Sequence, residues 1–457
     1  MIKLWDYIAA NMSVHKEQLI CEGKEKITFQ EVILCAELVG RMLKGVKSCA
    51  IICESELAAG IAILGCFASE VTAIPISYRY GQSHCKRILD AVDPEAIITY
   101  EDGEFKINIV KKSKYIPPVQ HPALIMCTSG TTGKPKCVML SEKNIITNVR
   151  DILKYFNITK EDEILISRPL YHCAVLTGEF LVSLIRGLKI RFYSGAFNPA
   201  LILEELQEHK STVFCGTPTL LNMISKLKRT ENADYVKHIC VSGECMDFET
   251  GQRIARAFPE AEIYHVYGQT EASPRISYLP PKFFEDNADC VGIPLENVKL
   301  KIISDSGTEA EINEVGTLWI QGYNTMIGYY NDSTLTAKVI VDDWLCTGDL
   351  AYINEKGLLK IIGRKDDMII KAGMNIYPQE IESIMKQDAK VLEICVYGIK
   401  DDKLGVQIIM DIAGDFDDVS SVKKLCRELL SSYQLPNKIN LYDEIPKNGF
   451  GKIVRRR

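Results

Sequence analysis

Residues 127–136 bring together the side chains best suited to binding phosphate. The run reads Cys-Thr-Ser-Gly-Thr-Thr-Gly-Lys-Pro-Lys, with four hydroxyls, two glycines and two lysines. Backbone N–H groups in such a loop, together with cations, can surround phosphate oxygens. The spacing is not that of a Walker A loop, because Lys134 is followed by Pro135 rather than by Ser or Thr. The run therefore indicates a phosphate loop of another kind, although its composition alone also suits a solvated linker.

Two elements are expected to hold this loop. Residues 123–126 precede it and are typical of a buried strand, and a helix is expected to begin at Ser141. Elsewhere strand-like and helical segments alternate, as in residues 48–53, 56–67 and 71–76. This alternation predicts α/β layers with largely parallel strands.

The pattern changes after about residue 285, where short strand-like segments are joined by Gly, Asp, Glu and Asn turns. A chain of 457 residues exceeds what one hydrophobic core usually serves. We therefore expect a large α/β N-terminal domain, residues 1–365, that contains a β-rich subdomain at about 285–365. Residues 366–457 are expected to form a small, mobile α+β C-terminal domain.

Composition limits the partners and the compartment. The formal charge of −6 argues against a broad nucleic-acid footprint, and the apolar runs are too short for a membrane span, so neither nucleic acid nor stable membrane insertion is expected. The sixteen cysteines are scattered without any CxxC pair, which favours free thiols in a reducing compartment. The N-terminus lacks the pattern of a signal peptide. Together these features predict a cytoplasmic enzyme.

Four further motifs follow the loop in order. They are Tyr267-Gly268-Gln269-Thr270-Glu271, Thr347-Gly348-Asp349, Gly363-Arg364-Lys365-Asp366-Asp367 and, at residues 446–452, Pro-Lys-Asn-Gly-Phe-Gly-Lys. Over nearly the whole chain, the five motifs resemble the adenylate-forming (AMP-binding) superfamily, which includes acyl- and aryl-CoA ligases, luciferases and adenylation domains of nonribosomal peptide synthesis. The resemblance implies that ATP activates a carboxylic acid as an acyl-adenylate, with release of pyrophosphate.

In that reaction two anions must meet, so the site must supply positive charge and N–H donors where charge builds up. By resemblance, the loop binds the β- and γ-phosphates. The loop residues assigned to ATP are Thr128, Ser129, Gly130, Thr131, Thr132, Gly133 and Lys136.

The second motif is expected to meet the rest of the nucleotide. Tyr267 can stack on adenine, and Gly268 lets the backbone approach the acyl group. Thr270 can donate to the α-phosphate, and Glu271 can hold Mg²⁺, which prefers carboxylate and phosphate oxygens. Without the other motifs, this pentapeptide would more often be a strand-end turn with a surface glutamate.

The third and fourth motifs supply a carboxylate and a cation 15 residues apart, on either side of a hairpin-like segment. Asp349 resembles the residue that accepts both ribose hydroxyls, and Arg364 resembles the basic residue that also contacts the ribose. Each alone would more often be a turn aspartate or a surface arginine.

The C-terminal residues are assigned by resemblance alone. Lys452 corresponds to the catalytic lysine that bridges the substrate carboxylate and the α-phosphate, although a lysine this near a terminus is usually solvated. Asp366 corresponds to the hinge about which the C-terminal domain rotates between two half-reactions. After rotation, Gly373 would leave room for a pantetheine arm.

The expected catalytic residues are Lys452, Thr270, Glu271 and His172.

The acid is constrained by Leu170-Tyr171-His172, which resembles a segment of acyl- and aryl-CoA ligases. Amino-acid-activating members carry an Asp at the position of His172, and without it an α-ammonium would be buried unpaired. An aryl or acyl acid is therefore expected, although His172 could instead be a packed core histidine. The pocket walls are predicted to be His172, Cys173, Val266 and Gly268, with Ser242, Gly243 and Glu244 assigned to cofactor binding beside them.

The thiol acceptor and the overall class leave alternatives. CoA is the expected acceptor, but Glu244 after Ser242-Gly243 resembles peptide-synthetase adenylation domains. A phosphopantetheinyl carrier protein, acyl or aryl, is therefore the alternative acceptor. Three other hypotheses stay open: a phosphotransferase that releases ADP, a binding protein without catalysis, and a ligase-like enzyme with a luciferase-like oxidative second step.

Overall fold

Strands and helices alternate through the first two-thirds of the chain, as the sequence predicts. The computed structural model describes residues 2–110, 113–128, 135–227, 233–371, 374–401, 405–446 and 453. Of the helices in these residues, none is both long enough and apolar enough to cross a membrane.

Most strands of the described residues have seven residues or fewer. In chain order they are β1 (Leu19–Glu22), β2 (Glu25–Thr28), β3 (Ser48–Ile51), β4 (Thr72–Pro75), β5 (Ala96–Glu101), β6 (Glu104–Ile109), β7 (Leu124–Thr128), β8 (Lys136–Leu140), β9 (Glu163–Ile166), β10 (Lys189–Phe192), β11 (Val213–Gly216), β12 (His238–Val241), β13 (Glu262–Gly268), β14 (Arg275–Leu279), β15 (Ile293–Pro294), β16 (Val298–Ile303), β17 (Gly316–Gly322), β18 (Gly328–Tyr329), β19 (Ile340–Val341), β20 (Trp344–Ile353), β21 (Leu359–Arg364), β22 (Ile369–Lys371), β23 (Met374–Ile376), β24 (Val391–Asp401), β25 (Gly405–Gly414) and β26 (Lys438–Tyr442).

The helices cover the faces of the sheets. In chain order they are α1 (Leu4–Val14), α2 (Phe29–Met42), α3 (Glu56–Ala68), α4 (Gln82–Val92), α5 (Glu142–Tyr155), α6 (Cys173–Val175), α7 (Val182–Arg186), α8 (Pro199–His209), α9 (Pro218–Ser225), α10 (Phe248–Ala257), α11 (Phe284–Asn287), α12 (Ser333–Val339), α13 (Pro378–Met385) and α14 (Val419–Leu429). A π-helical turn, Leu176–Leu181, joins α6 to α7.

Two large sheets form the N-terminal part of the fold. The first has nine strands in the order β15-β14-β13-β12-β11-β9-β10-β1-β2. Its interior pairs, from β13 to β1, are parallel, and its edges are antiparallel. The second has seven strands in the order β18-β8-β7-β4-β3-β5-β6, again with parallel pairs in its interior. Parallel neighbours bring their carboxyl ends to one edge of a sheet, where α/β proteins bind ligands.

Local sequence explains where helix α5, which follows the predicted loop, begins. Ser141 caps α5, since its hydroxyl accepts from the Asn144 N–H at 3.1 Å while the Asn144 amide oxygen accepts from the Ser141 N–H at 2.7 Å. This reciprocal pair satisfies two of the N–H groups that a helix start leaves open. The Asn144 amide also donates to the backbone oxygen of Thr325 at 2.7 Å. The helix start predicted at Ser141 is therefore present.

A smaller antiparallel sheet follows in the order β16-β17-β20-β19, and β21 pairs with β20 on the same edge as β19, opposite β17. It accounts for the β-rich texture after residue 285. The short strands β15 and β18 lie in the same stretch of sequence but pair with the nine-stranded and seven-stranded sheets. The subdomain limits and the boundary between residues 365 and 366 stay predictions.

The C-terminal part has a core of its own. The hairpin β22-β23, the sheet β24-β25-β26 and the helices α13 and α14 enclose apolar residues that include Ile381, Met410 and Val422, each fully buried. A separate core is what an independently folding unit requires. The predicted fold class, a large α/β domain followed by a small α+β domain, is confirmed.

Candidate active site

The candidate site lies beyond the carboxyl ends of the parallel strands β9, β11, β12 and β13. Ser242 follows β12, and its N–H donates to the Gly216 carbonyl at the end of β11 at 3.0 Å. Arg168 follows β9, and its Nη1 donates to the Ser242 hydroxyl at 3.3 Å. The ends of three strands are thus joined by hydrogen bonds at one edge of the nine-stranded sheet.

Asp349 and Arg364 come together as neighbours in the five-stranded sheet. The register of β20 and β21 pairs them directly, and Arg364 Nη1 lies 3.1 Å from Asp349 Oδ1. The same nitrogen donates to the Thr347 carbonyl at 2.8 Å. The other carboxylate oxygen of Asp349 accepts from the hydroxyl of Tyr267, at the end of β13. Two residues predicted for the ribose and one predicted for adenine therefore form one group.

Burial sets the electrostatics of this group. Asp349 is 7% exposed, and its burial raises the pKa of its carboxyl, although the Arg364 guanidinium opposes that shift. Burial also raises the pKa of Tyr267 far above its usual range, so its hydroxyl stays protonated and acts as a donor. The half-exposed Arg364 holds the buried carboxylate of Asp349 in place, so Asp349 is a fixed acceptor for hydroxyl groups.

Gly268 is required by a close approach of two backbones. A Cβ at this position would lie 1.9 Å from the Pro274 carbonyl oxygen. The pairing of β13 with β14 shifts register between Tyr267 and Gly268, which turns the chain toward Thr270. The glycine was predicted for contact with an acyl group, and the structure gives it this additional packing role.

Glu271 is anchored from the seven-stranded sheet. Its Oε1 accepts from the Tyr329 hydroxyl at 2.8 Å, and its carbonyl accepts from the Met326 N–H at 2.9 Å. Tyr329 belongs to β18, which pairs with β8 after the phosphate loop. Burial is the main cause of the raised pKa of Asp349, and the contacts with Arg364 and Tyr267 oppose it. The negative charge of Glu271 adds to the upward shift of that pKa, so the two carboxylates lie in one electrostatic field.

The donor set around Glu271 fits Mg²⁺ carried by a nucleotide. Mg²⁺ is usually held by one or two carboxylates, substrate phosphates and water. The Tyr329 hydroxyl engages one oxygen of Glu271 and orients the carboxylate. Across the described ranges there is no group of three or more His, Cys, Asp or Glu side chains that could hold a metal ion by themselves. Glu271 would therefore share the ion with phosphate oxygens rather than complete a protein cage.

The phosphate loop is described at its two ends only. Thr128 closes β7, and its backbone pairs with that of Lys136 at the start of β8. The Lys136 ammonium lies 5.9 Å from the centre of the Tyr329 ring, and the Tyr329 hydroxyl donates to Glu271. The same tyrosine therefore contacts both the cation and the carboxylate. Five predicted loop residues lie outside the described residues: Ser129, Gly130, Thr131, Thr132 and Gly133.

The predicted acid pocket begins at His172, the residue before α6. Its ring centre lies 4.4 Å from that of Tyr171, which in turn lies 5.3 Å from Tyr80. Cys173 is 3% exposed, and burial raises the pKa of its thiol to about 12. Val266 is likewise buried, at 2% exposure. These walls are aromatic or apolar.

Ser242, Gly243 and Glu244 follow β12. Gly243 has a φ of +97°, which favours glycine, and an added Cβ would lie 3.9 Å from Arg168 Nη1. The Glu244 carboxylate accepts from the Thr219 hydroxyl at 2.6 Å and so fastens the first turn of α9. Glu244 thus has a structural contact in addition to the predicted cofactor role.

A buried ion pair beside Ser242 was not predicted from the sequence. Arg168 Nη2 lies 2.6 Å from Glu179 Oε1, and the Glu179 side chain is 1% exposed. Burial raises the pKa of Glu179, while Arg168 opposes the shift. The available signal was a single glutamate within the apolar run 173–185. A charge in such a run is expensive to bury alone and therefore implies a partner.

The C-terminal assignments are placed only in part. Lys452 and Gly373 lie outside the described residues. Asp366 is exposed in the short turn Lys365–Asp367, between β21 and β22. The turn directly follows Arg364, so the predicted hinge lies next to the Asp349–Arg364 pair along the chain.

Comparisons with known proteins identify the family of the chain. The family model described as AMP-binding enzyme matches residues 7–330, and that of the AMP-binding enzyme C-terminal domain matches residues 380–452. A long-chain-fatty-acid–CoA ligase of Haemophilus influenzae is 31% identical over 77% of this chain and 64% of its own length. The mitochondrial medium-chain acyl-CoA ligase of Homo sapiens is 33% identical over 73% of this chain and 56% of its own length. The chain therefore spans about three-fifths of the length of these relatives.

A solved structure has the same fold over almost the whole chain. The o-succinylbenzoate CoA synthetase of Bacillus subtilis, in complex with its acyl-adenylate intermediate, superposes with a TM-score of 0.85. The match covers 98% of this chain and 96% of that one, at 24% identity. A likeness at this level of identity concerns the fold.

Proposed function

The chain belongs to the AMP-binding enzyme family, and we propose that it is an acid–thiol ligase. It activates a carboxylic acid with ATP to an acyl-adenylate and pyrophosphate, and then transfers the acyl group to a thiol, CoA. The observation that carries the proposal is the buried Asp349, held by Tyr267 and Arg364 in the same field as Glu271. This arrangement offers one carboxylate to a ribose and another to a magnesium-bound phosphate.

The predicted site residues have the following roles in that chemistry. Asp349 accepts the ribose hydroxyls, and Arg364 adds a donor beside them. Glu271 would hold Mg²⁺, which would neutralise charge on the phosphates. Thr270 donates to the α-phosphate, and Lys136 binds the β- and γ-phosphates together with the loop residues 128–133. These groups supply the positive charge and donors that the attack of one anion on another requires.

Lys452 is proposed as the catalytic cation of the first half-reaction, bridging the acid and the α-phosphate. Asp366 is proposed as the hinge for the second half-reaction, in which Gly373 admits the pantetheine arm. The exposed turn at Asp366 supports the hinge assignment, because hinges are loop positions that absorb backbone rotation.

An aryl or acyl acid is the proposed substrate. His172, Tyr171 and Tyr80 form a row of aromatic rings, and the adjoining Cys173 and Val266 are buried. Such walls favour an apolar acyl group. The nearby carboxylate of Glu179 is paired with Arg168, so a substrate ammonium would compete with an existing ion pair. Both curated relatives named above are CoA ligases for fatty or medium-chain acids.

Product analysis tests the proposal. The chain is incubated with Mg²⁺, ATP and a panel of aryl and fatty acids, with either CoA or a phosphopantetheinylated carrier protein as acceptor. The expected products are AMP, pyrophosphate and an acyl-CoA thioester. Thioester on the carrier protein alone would replace the proposed acceptor by the alternative one. Release of ADP instead of AMP would contradict adenylate formation and favour a phosphotransferase.

A further inference from the structure

Two cysteines face each other at the base of the phosphate loop. Cys127 stands near the end of β7, Cys137 near the start of β8, and the register of the two antiparallel strands pairs them directly. Their Sγ atoms lie 3.0 Å apart. Directly opposed residues of antiparallel strands have Cα atoms about 4.5–5.5 Å apart, which is within the range that a disulfide spans. A shift of the two strands by no more than about 1 Å therefore suffices to join the two thiols.

Access distinguishes this pair from the other facing thiols. Cys137 is 3% exposed, and Cys127 is partly exposed as a residue, although its thiol is largely covered. Cys215 and Cys240 also face each other, across the parallel strands β11 and β12, but both are buried. The hydrogen bond with Cys137, and burial, raise the pKa of the Cys127 thiol. Its reaction is therefore slow and requires sustained exposure to the oxidant.

We propose that Cys127 and Cys137 form a reversible disulfide when hydrogen peroxide oxidises the chain. The Cys127 thiolate attacks one peroxide oxygen, and the O–O bond breaks to give a sulfenic acid and water. The Cys137 thiol then attacks the sulfenic sulfur, forming the S–S bond and releasing a second water. The two thiols together lose two electrons and two protons, and the peroxide is reduced to two waters.

Hydrogen bonds connect this pair to the residues proposed to bind ATP. The Cys137 carbonyl accepts from the Tyr330 N–H at 2.8 Å, and the next residue, Val138, pairs with Tyr329. Tyr329 in turn holds Glu271 through its hydroxyl. A displacement of β8 is therefore transmitted through β18 to the carboxylate proposed for Mg²⁺. Lys136, the neighbour of Cys137, is displaced with it.

The disulfide is expected to inhibit the enzyme. An S–S bond is about 2.05 Å long, so its formation draws the two sulfurs roughly 1 Å closer. A misplacement of about 1 Å in a group that positions substrate can cost up to ~10²-fold in rate. We expect pyrophosphate exchange to fall by about tenfold or more, because the strain is shared between two strands. This part of the inference rests on the proposed function.

The test combines peptide mapping with an activity assay on the full-length chain. The reduced protein is treated with hydrogen peroxide, its remaining thiols are alkylated, and the digest is analysed by mass spectrometry for a 127–137 cross-link. ATP–pyrophosphate exchange is measured before oxidation, after oxidation and after dithiothreitol. Cys127→Ser and Cys137→Ala each remove one partner, and Cys245→Ser removes an exposed thiol elsewhere as a matched control.

The expected result is a 127–137 cross-link in the unaltered chain and in Cys245→Ser, with exchange lost on oxidation and restored by dithiothreitol. Cys127→Ser and Cys137→Ala should keep their exchange after peroxide. Oxidised protein without this cross-link would overturn the inference, as would a cross-link that leaves exchange unchanged. Mapping on the unaltered chain does not depend on folding of the variants or on activity. A lack of exchange in the reduced protein counts against the proposed function, and the mapping still decides the inference.

Discussion

Replacement of Asp349 by asparagine should separate nucleotide binding from chemistry. Asparagine keeps the shape of the side chain but removes its charge and one acceptor oxygen. The carboxylate is buried and its pKa is raised by burial, so its charged form is already disfavoured in the fold. The half-exposed Arg364 can turn to solvent when its partner loses charge. The variant should therefore fold with little loss of stability.

The magnitude follows from the hydrogen bonds at stake. A hydrogen bond to a charged group contributes about 1.5–3 kcal/mol, and Asp349 is proposed to accept two from the ribose. Since asparagine keeps one neutral acceptor, the expected loss is about 3 kcal/mol, or roughly 100-fold in kcat/KM for ATP. The ribose does not react, so the loss should appear in KM while kcat changes little.

A comparison of ATP with 2′-deoxy-ATP makes the assay specific. The unaltered chain should lose efficiency with the deoxynucleotide, whereas Asp349→Asn should discriminate much less between the two nucleotides, because the charged acceptor is already gone. Asp343→Asn, which makes the same change at an exposed position just before β20, should behave like the unaltered chain. Equal and additive penalties for the substitution and for the deoxynucleotide would refute the ribose assignment. A fall in kcat with an unchanged KM would refute it as well.

Three further predictions concern the metal, the hinge and stability. Tyr329→Phe removes the donor to Glu271 and should raise the Mg²⁺ concentration needed for half-maximal exchange about tenfold, from a loss of about 1.4 kcal/mol; an unchanged Mg²⁺ titration would contradict the anchoring role. Asp366→Pro should spare pyrophosphate exchange but impair thioester formation, and equal loss of both steps would contradict a hinge. Burial alone would raise the pKa of Glu163, but hydrogen bonds from Lys189 and Arg191 outweigh it and lower that pKa. The ionised Glu163 therefore stabilises the fold above the ordinary glutamate pKa, and this stabilisation is lost as the pH falls through the lowered value. Glu163→Gln should therefore reduce the free energy of unfolding by roughly 3 kcal/mol near neutral pH and by less in acid. Urea titrations of both proteins at several pH values would measure this. A difference in the free energy of unfolding that does not change with pH would contradict the assignment.

Local patterns were sufficient to predict the elements that frame the site. The helix start at Ser141 depends on a cap that spans the four residues 141–144, and the strand His238–Val241 is a short, mostly apolar run. The meeting of Asp349 and Arg364 was also predictable, because a hairpin 15 residues across brings its two ends together. These features are short-range, so the sequence around each residue contains the relevant information.

The contacts that complete the site are long-range and have no such local signal. Tyr329 lies in a two-residue strand whose partner, β8, is nearly two hundred residues earlier in the chain. Nothing around Tyr329 in sequence indicates that its hydroxyl meets Glu271. Arg168 and Glu179 are similar, since a charged residue in the sequence does not reveal which partner will neutralise it after burial. The pairing of Cys127 with Cys137 required the exact register of β7 and β8.

The central claim is that this chain forms an acyl-adenylate with a catalytic lysine from its C-terminal domain. The most direct test is ATP–pyrophosphate exchange without any thiol, across aryl, fatty and amino acids, with the unaltered chain, Lys452→Ala and the control Lys424→Ala. We predict exchange with an aryl or fatty acid, a loss of ~10²-fold or more in Lys452→Ala, as expected for one transition-state charge partner, and no change in Lys424→Ala. Exchange confined to amino acids, or full exchange by Lys452→Ala, would contradict the account.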